Sequence, residues 1–299
     1  MSEKKIIWIS IVSAIAFSLV GIIWGTISGS AMIIFDGVYS FVSVILSLLS
    51  LIVANSLNKE GTSEHFPVGK AHLEPFLIVF KSLVLITTCI YSISNGIVDI
   101  MSGGHLVNPT QTITYSVIST IGCWSTLHYI RKKNKAIQSN IVQIEGDQWY
   151  GDTLLSIGVL VGFGISELLG LLGFNQVLYY VDSTLVILAS SFFILIPVKS
   201  LWIHGKEMML LAPHKKYVTP FVKVANQLCE ELNADDYDIS VVKQGQELYV
   251  ECTFSFLRDQ TFSLSEIDDI KHRIQTPFQK KYNVVVVLDL IISTPKLNQ

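Results

Sequence analysis

Six long apolar runs constrain this chain more than any other feature. They fall at 6–27, 31–56, 74–101, 111–130, 141–169 and 178–203. A helix needs about 20 mainly apolar residues to cross the hydrocarbon layer of a bilayer, and in lipid its backbone polar groups must be satisfied within the protein. The runs therefore predict six spanning helices. Composition agrees, with 50% hydrophobic and only 15% charged residues, which is unusually apolar for a soluble domain. The first run follows Met-Ser-Glu-Lys-Lys and lacks a small-residue cleavage pattern. It reads as a retained helix and not as a cleaved leader.

Charge orders these runs across the membrane. Lys4 and Lys5 precede the first, Lys59 and Lys70 separate the second from the third, and Arg131, Lys132, Lys133 and Lys135 lie between the fourth and fifth. Lys206, Lys215 and Lys216 follow the sixth, while the loops near 28–30, 102–110 and 170–177 carry no Lys or Arg. Positive loops stay on the cytoplasmic side. Both termini are expected there, in a multi-pass protein of a bacterial inner (plasma) membrane. The net charge of −3 gives no basic surface for nucleic acid. Cys89, Cys123, Cys229 and Cys252 are far apart with no C-x-x-C pair, so they signal neither a disulfide framework nor a thiolate zinc site.

The tail reads as a different kind of structure. Helical spacing over 218–232 is followed by strand-like alternation over 237–243 and 247–257. An amphipathic helix over 264–282 has Ser263 or Ser265 as its cap, and 284–292 is a β-branched strand able to pair with 247–257. The expected division is a six-helix transmembrane domain, 1–212, and a small α+β domain, 213–299, with helices on one face of a sheet.

Asp36 lies inside the second run and Asp152 inside the fifth. A carboxylate at that depth costs several kcal/mol or more, so it persists where it meets a partner, a cavity or an ion path. Two such acids on two helices predict a cation pathway.

With these features the chain resembles the cation diffusion facilitator family. The resemblance covers nearly the whole chain. It rests on Ser28-Gly29-Ser30 leading into Phe35-Asp36-Gly37, on His65-Phe66-Pro67-Val68-Gly69-Lys70 with Glu74, and on Gln148-Trp149-Tyr150-Gly151-Asp152. It implies a homodimeric divalent-metal transporter with six helices, a ferredoxin-like cytoplasmic tail that pairs the subunits, and exchange of metal for protons. It also implies a metal site built from two i, i+4 pairs, here Asp36 with Ser40 and Gln148 with Asp152. Residues four apart share a helical face. Relatives carry a carboxylate where Ser40 stands, and an imidazole or carboxylate where Gln148 stands. The set in this chain is all oxygen, which suits Mn²⁺ or Fe²⁺ better than Zn²⁺. Zn²⁺ is still a candidate. Metal needs both acids deprotonated, so protons compete for the same oxygens and can drive release. No cofactor beyond the transported cation is implied.

Other residues carry two readings each. Glu145 is either an acid on the way into the site or a helix-start acid at the interface. Lys81 either neutralises a site acid or Asp99, or snorkels to the cytoplasmic face. His65 is either a second-metal ligand, as in some relatives, or a solvated loop histidine. Lys70 matches a latch position for which Glu207 is the candidate partner. Asp99, Asp182 and Glu167 read as interfacial acids, Trp8, Trp24, Trp149 and Trp202 as an aromatic belt, and Gly158, Gly162 and Gly164 as close-packing positions. In the tail Asp289 stands where relatives place a metal-binding acid, but Val287 replaces the histidine before it, and His214 and His272 have no His partner nearby. A dimerisation module without a binuclear zinc site is expected. No nucleophile–base pair or phosphate-binding loop is legible, so the chain is not expected to be an enzyme. The rival reading is a family member that no longer transports and serves as a regulatory or scaffolding partner. A channel is disfavoured by the lack of a ring of like residues.

Overall fold

A computed structural model describes residues 3–57, 71–137, 140–245, 247–257, 260–282 and 285–293. Six long helices occupy the positions of the first five apolar runs and the start of the sixth. They are α1 (Glu3–Ser28), α2 (Ala31–Leu57), α3 (Leu73–Met101), α4 (Pro109–Ile137), α5 (Asn140–Leu171) and α6 (Asn175–Phe193). The sixth run is broken at Ile194 and continues as α7 (Leu195–Met208). Pro197 explains the break. It has no N–H to give to the carbonyl of Phe193 and its ring crowds that carbonyl. The ladder resumes on either side, with Ile194 donating to Ser190 at 3.0 Å and Val198 to Ile194 at 3.1 Å.

Among the described residues, four helices are long and apolar enough to cross a membrane: Lys5–Ser28, Leu73–Met101, Glu145–Leu171 and Asn175–Met208. Ala31–Leu46 is a shorter apolar stretch. Helix α4 falls outside that set because Ser and Thr run through it and Arg131, Lys132, Lys133 and Lys135 close it. The protein is thus mostly helical, with several membrane-span-like helices and a small C-terminal sheet.

Contacts divide the chain into two compact units. The first comprises Met1–Leu49 and Lys81–Lys199. Helices α1 and α2 cross here with almost no side chain between them. A Cβ on Gly37 would lie 2.7 Å from the Ile22 nitrogen and 2.9 Å from the Ser18 carbonyl oxygen, and one on Gly25 would lie 2.7 Å from the Ile34 nitrogen. Of the helix-five glycines, Gly162 packs closely, against Leu185, while a Cβ on Gly158 or Gly164 would meet nothing within 4 Å. The close-packing expectation therefore holds for one of the three, while Gly25 and Gly37 mark a close backbone approach of α1 and α2. Trp149 also departs from the interfacial belt. It is buried, packs edge-on to Phe17 and donates to the Ser10 hydroxyl at 2.7 Å.

The second unit comprises Ser50–Phe80 and Ser200–Gln299. It contains α8 (Lys215–Leu232), β1 (Asp236–Gln244), β2 (Glu247–Ser255), α9 (Leu264–Tyr282) and β3 (Val285–Ser293). The sheet order is β1-β2-β3. β1 and β2 are antiparallel, with Gln244 opposite Glu247, and β2 and β3 are parallel, with Glu247 opposite Val285. A parallel pair needs a crossover, and α9 supplies it. Alternation on β2 buries Leu248, Val250, Cys252 and Phe254 against Phe221, Ala225 and Leu228 of α8 and Ile270, Ile274 and Phe278 of α9. The spacing of the helical residues is that of one apolar stripe. Phe221 stacks on Phe278 with ring centroids 3.8 Å apart.

Caps fix the helix ends. Of the two serines, Ser263 is the cap of α9. Its N–H donates to Glu266 Oε2 at 2.7 Å while Glu266 N–H donates to Ser263 Oγ at 3.3 Å, a reciprocal capping box. His214 caps α8 by accepting from Lys216 N–H at 3.2 Å. Asn233, at φ 49°, ends that helix in the left-handed conformation.

Candidate functional site

Asp36 sits six residues into α2 and Asp152 on α5, both half-buried in the first unit. Their charges are near enough to act on each other. Asp36 opens onto a narrow crevice lined also by Tyr115, Ser116 and Ser119 of α4 and by Ser156 of α5. Tyr115 donates to Asp36 Oδ2 at 3.3 Å. Ser119 and Ser156 share a hydrogen bond of 3.0 Å, and Ser156 reaches Cys123 Sγ at 3.7 Å. Asp152 lies one turn along α5 from Ser156 and within electrostatic reach of Tyr39 and Glu145.

The structure thus places Asp36 and Asp152 in one unit, with Ser156, one turn on from Asp152, lining the crevice onto which Asp36 opens. Ser40, one turn on from Asp36, is half-buried, while Gln148 is exposed on α5. Among the described residues no three His, Cys, Asp or Glu side chains form a metal cluster. Beside the two carboxylates, the polar groups of the site include the hydroxyls of Ser40, Ser116, Ser119 and Ser156 and the thiol of Cys123.

Helix α4 was missing from the sequence-based site. Its contribution has a signal: Tyr115, Ser119 and Cys123 fall at i, i+4 and i+8 on one face of the most polar helix of this unit. Ser156 likewise extends the Gln148–Asp152 face by one turn.

At the start of α2 a second cluster is built on Asp182, which is fully buried on α6. It accepts from Ser30 Oγ at 2.5 Å, from Ala31 N–H at 2.7 Å and from Met32 N–H at 3.4 Å. A carboxylate on the free N–H groups of a helix start is favoured by both hydrogen bonding and the helix dipole. His105, in the loop between α3 and α4, lies 2.8 Å from Asp99 Oδ2, 3.0 Å from the Gly29 carbonyl and 3.6 Å from Asp182 Oδ2. Ser183 donates to Asp99 as well. Burial pushes His105 down, but the Asp99 hydrogen bond and the charges of Asp99 and Asp182 outweigh it and hold the imidazole above its ordinary range. Asp182 is therefore a buried helix cap and not an interfacial acid, because the start of α2 needs an acceptor. Sequence reading passed over His105 altogether.

Lys81 does not serve Asp99, which lies 18 positions along the same helix, or about 27 Å. Glu145 acts on Lys81, and that acid also accepts from Ser10 Oγ at 2.5 Å. Glu207 is taken by Lys243 at 2.7 Å and His204 at 3.3 Å. Lys70, its expected partner, and His65 lie outside the described residues. Asp289 is exposed on β3.

The fold is that of a mostly helical protein with several membrane-span-like helices, an acid on each of α2 and α5, and a small three-stranded C-terminal sheet. The cation efflux transmembrane domain matches residues 7–209. An uncharacterized transporter of Methanocaldococcus jannaschii is 25% identical over 287 residues, covering 94% of this chain and 95% of that protein. The chain belongs to the cation efflux family. It is a multi-pass membrane transporter of cations and not an enzyme.

Proposed function

We propose that this protein exports a divalent metal cation in exchange for protons, with Asp36 and Asp152 as its charged ligands and Ser40 and Gln148 completing the shell. The observation that carries this reading is one carboxylate on each of α2 and α5 in the same unit, with Asp36 opening onto a crevice that Ser156, one turn on from Asp152, also lines. Two acids that repel one another when both are ionised hold a proton or a divalent cation more readily than they stay empty. That competition is the physical basis of antiport. The four proposed ligands, Asp36, Ser40, Gln148 and Asp152, offer oxygen alone, which favours Mn²⁺ or Fe²⁺ over Zn²⁺.

The transporter works as a homodimer of six-span subunits in this reading. Residues 1–212 form the membrane domain, 213–299 form a ferredoxin-like cytoplasmic module, and both termini face the cytoplasm of a bacterial cell. The α/β order of the tail and the alternation of basic loops support it. The rival reading, a regulatory or scaffolding member with a decayed site, draws on one observation: Gln148 is exposed.

Purified protein in liposomes with an internal metal-sensitive dye and an imposed pH gradient separates the two. Gradient-dependent Mn²⁺ or Fe²⁺ uptake, lost in Asp36→Ala and in Asp152→Ala, is expected. A folded protein that moves none of Mn²⁺, Fe²⁺, Zn²⁺ or Co²⁺ would establish the rival.

A further inference from the structure

We propose that Tyr115 is a positioning residue of the cation site, its hydroxyl holding the Asp36 carboxylate in the orientation that receives the ion. This rests on the reading of Asp36 as a ligand. Three observations meet at one crevice. The Tyr115 hydroxyl donates to one oxygen of the Asp36 carboxylate, Oδ2, at 3.3 Å. Ser119, one turn along α4, lines the same crevice and hydrogen-bonds Ser156 of α5 at 3.0 Å. Gly21 of α1 leaves the space the Tyr115 hydroxyl occupies, since a Cβ there would lie 2.8 Å from the hydroxyl oxygen and 3.2 Å from the Gly37 Cα. Helix α1 thus gives up a side chain where α4 reaches across to α2.

The physical role follows from the chemistry of carboxylate ligands. A carboxylate on a rotatable arm must be held by a second hydrogen bond to present one oxygen to a metal, and loss of such a partner costs about 10–100-fold in affinity. Tyr115 is the hydrogen-bond donor described for Asp36, and it lines the crevice onto which that acid opens. The arrangement adds a third helix to a site otherwise built on α2 and α5. It also explains why a polar face is kept on α4 within an apolar bundle.

The test uses the full-length protein in liposomes, with Mn²⁺ as the probe and initial uptake rates measured across its concentration. Tyr115→Phe keeps the ring and its packing and removes only the hydroxyl. The expected result is a rise in the KM for Mn²⁺ of about tenfold, with the maximal rate within about twofold of wild type. Ser119→Ala, which removes a hydroxyl lining the same crevice, is expected to raise KM by a smaller factor. A role in packing alone would leave KM unmoved and lower the melting temperature and the maximal rate, and that outcome would overturn the proposal. Asp36→Ala is the control that tells the two readings apart. If it abolishes uptake while Tyr115→Phe keeps the wild-type KM, only the role of Tyr115 fails. If Asp36→Ala transports with the wild-type KM, the cation site is elsewhere and both readings fall.

Discussion

The hydroxyl of Ser30 donates to the carboxylate of Asp182 at 2.5 Å, joining residues 152 positions apart at the start of α2. The same carboxylate holds the first N–H groups of that helix, and His105 sits beside it. Replacing Asp182 with Ala leaves the Ser30 hydroxyl and the helix start without an acceptor in a buried place. The expected loss is about 3 kcal/mol, well above that of an ordinary cap. Thermal unfolding of the detergent-solubilised protein reads it, and Asp182→Asn should recover part of the loss because the amide oxygen still accepts.

His105 gives the fold a pH dependence whose sign can be worked out. The raised value in the folded state means that the charged imidazole is favoured by folding. Its stabilisation is full below the ordinary histidine value of about 6.5 and fades as pH climbs through the raised one. Asp99 and Asp182 are the charges that face it. Melting temperatures of wild type and His105→Gln should differ most in mild acid and converge in mild alkali. A gap that widens toward alkaline pH would show that the imidazole is held neutral.

The glycines make a paired comparison. Gly37→Ala must push a Cβ into the backbone of α1, 2.7 Å from the Ile22 nitrogen. Backbone cannot yield as a side chain does, so a loss of about 2 kcal/mol or more is expected. Gly158→Ala meets open space on α5 and should be neutral or stabilising by up to about 1 kcal/mol, since Ala is the better helix former. The two variants can be melted side by side.

Much of this architecture is legible in the sequence because it rests on local periodicity. The apolar runs, the i, i+4 acid positions and the alternation of β2 each show in a window of a few residues. The parallel pairing of β2 with β3 follows once α9 is seen between them. What could not be read depends on which distant groups meet. Asp182 looks like a surface acid until the N–H groups of Ala31 and Met32 need an acceptor. His105 has no neighbour in sequence that marks it. Tyr115 and Ser119 resemble routine polar residues of a weak span until α2 and α5 are placed around them. Gly21 carries no motif and Gly37 was read only as a neighbour of Asp36, while Gly158 and Gly164 suggested a packing face that the structure leaves open. Pro197 was visible, and its break at Ile194 follows from proline chemistry.

The identity of residue 148 tests the proposed metal preference directly. Gln148 stands one turn before Asp152 and offers an amide oxygen, where relatives carry an imidazole or carboxylate. Gln148→His would add a borderline-soft nitrogen to a site otherwise of oxygen. Zinc gains more from that exchange than manganese does, and the expected rise in the ratio of Zn²⁺ to Mn²⁺ uptake is roughly tenfold. Competition uptake in liposomes, with both ions present, measures the ratio without depending on how much active protein is inserted. An imidazole also titrates near neutrality, so zinc uptake by the variant should fall as the cytoplasmic-side pH drops below about 6.5. An unchanged ratio would mean that position 148 does not reach the ion. Its exposure on α5 would then be its working environment, and the shell around Asp36 and Asp152 would have to be completed by the hydroxyls of Ser40 and Ser156 or by water.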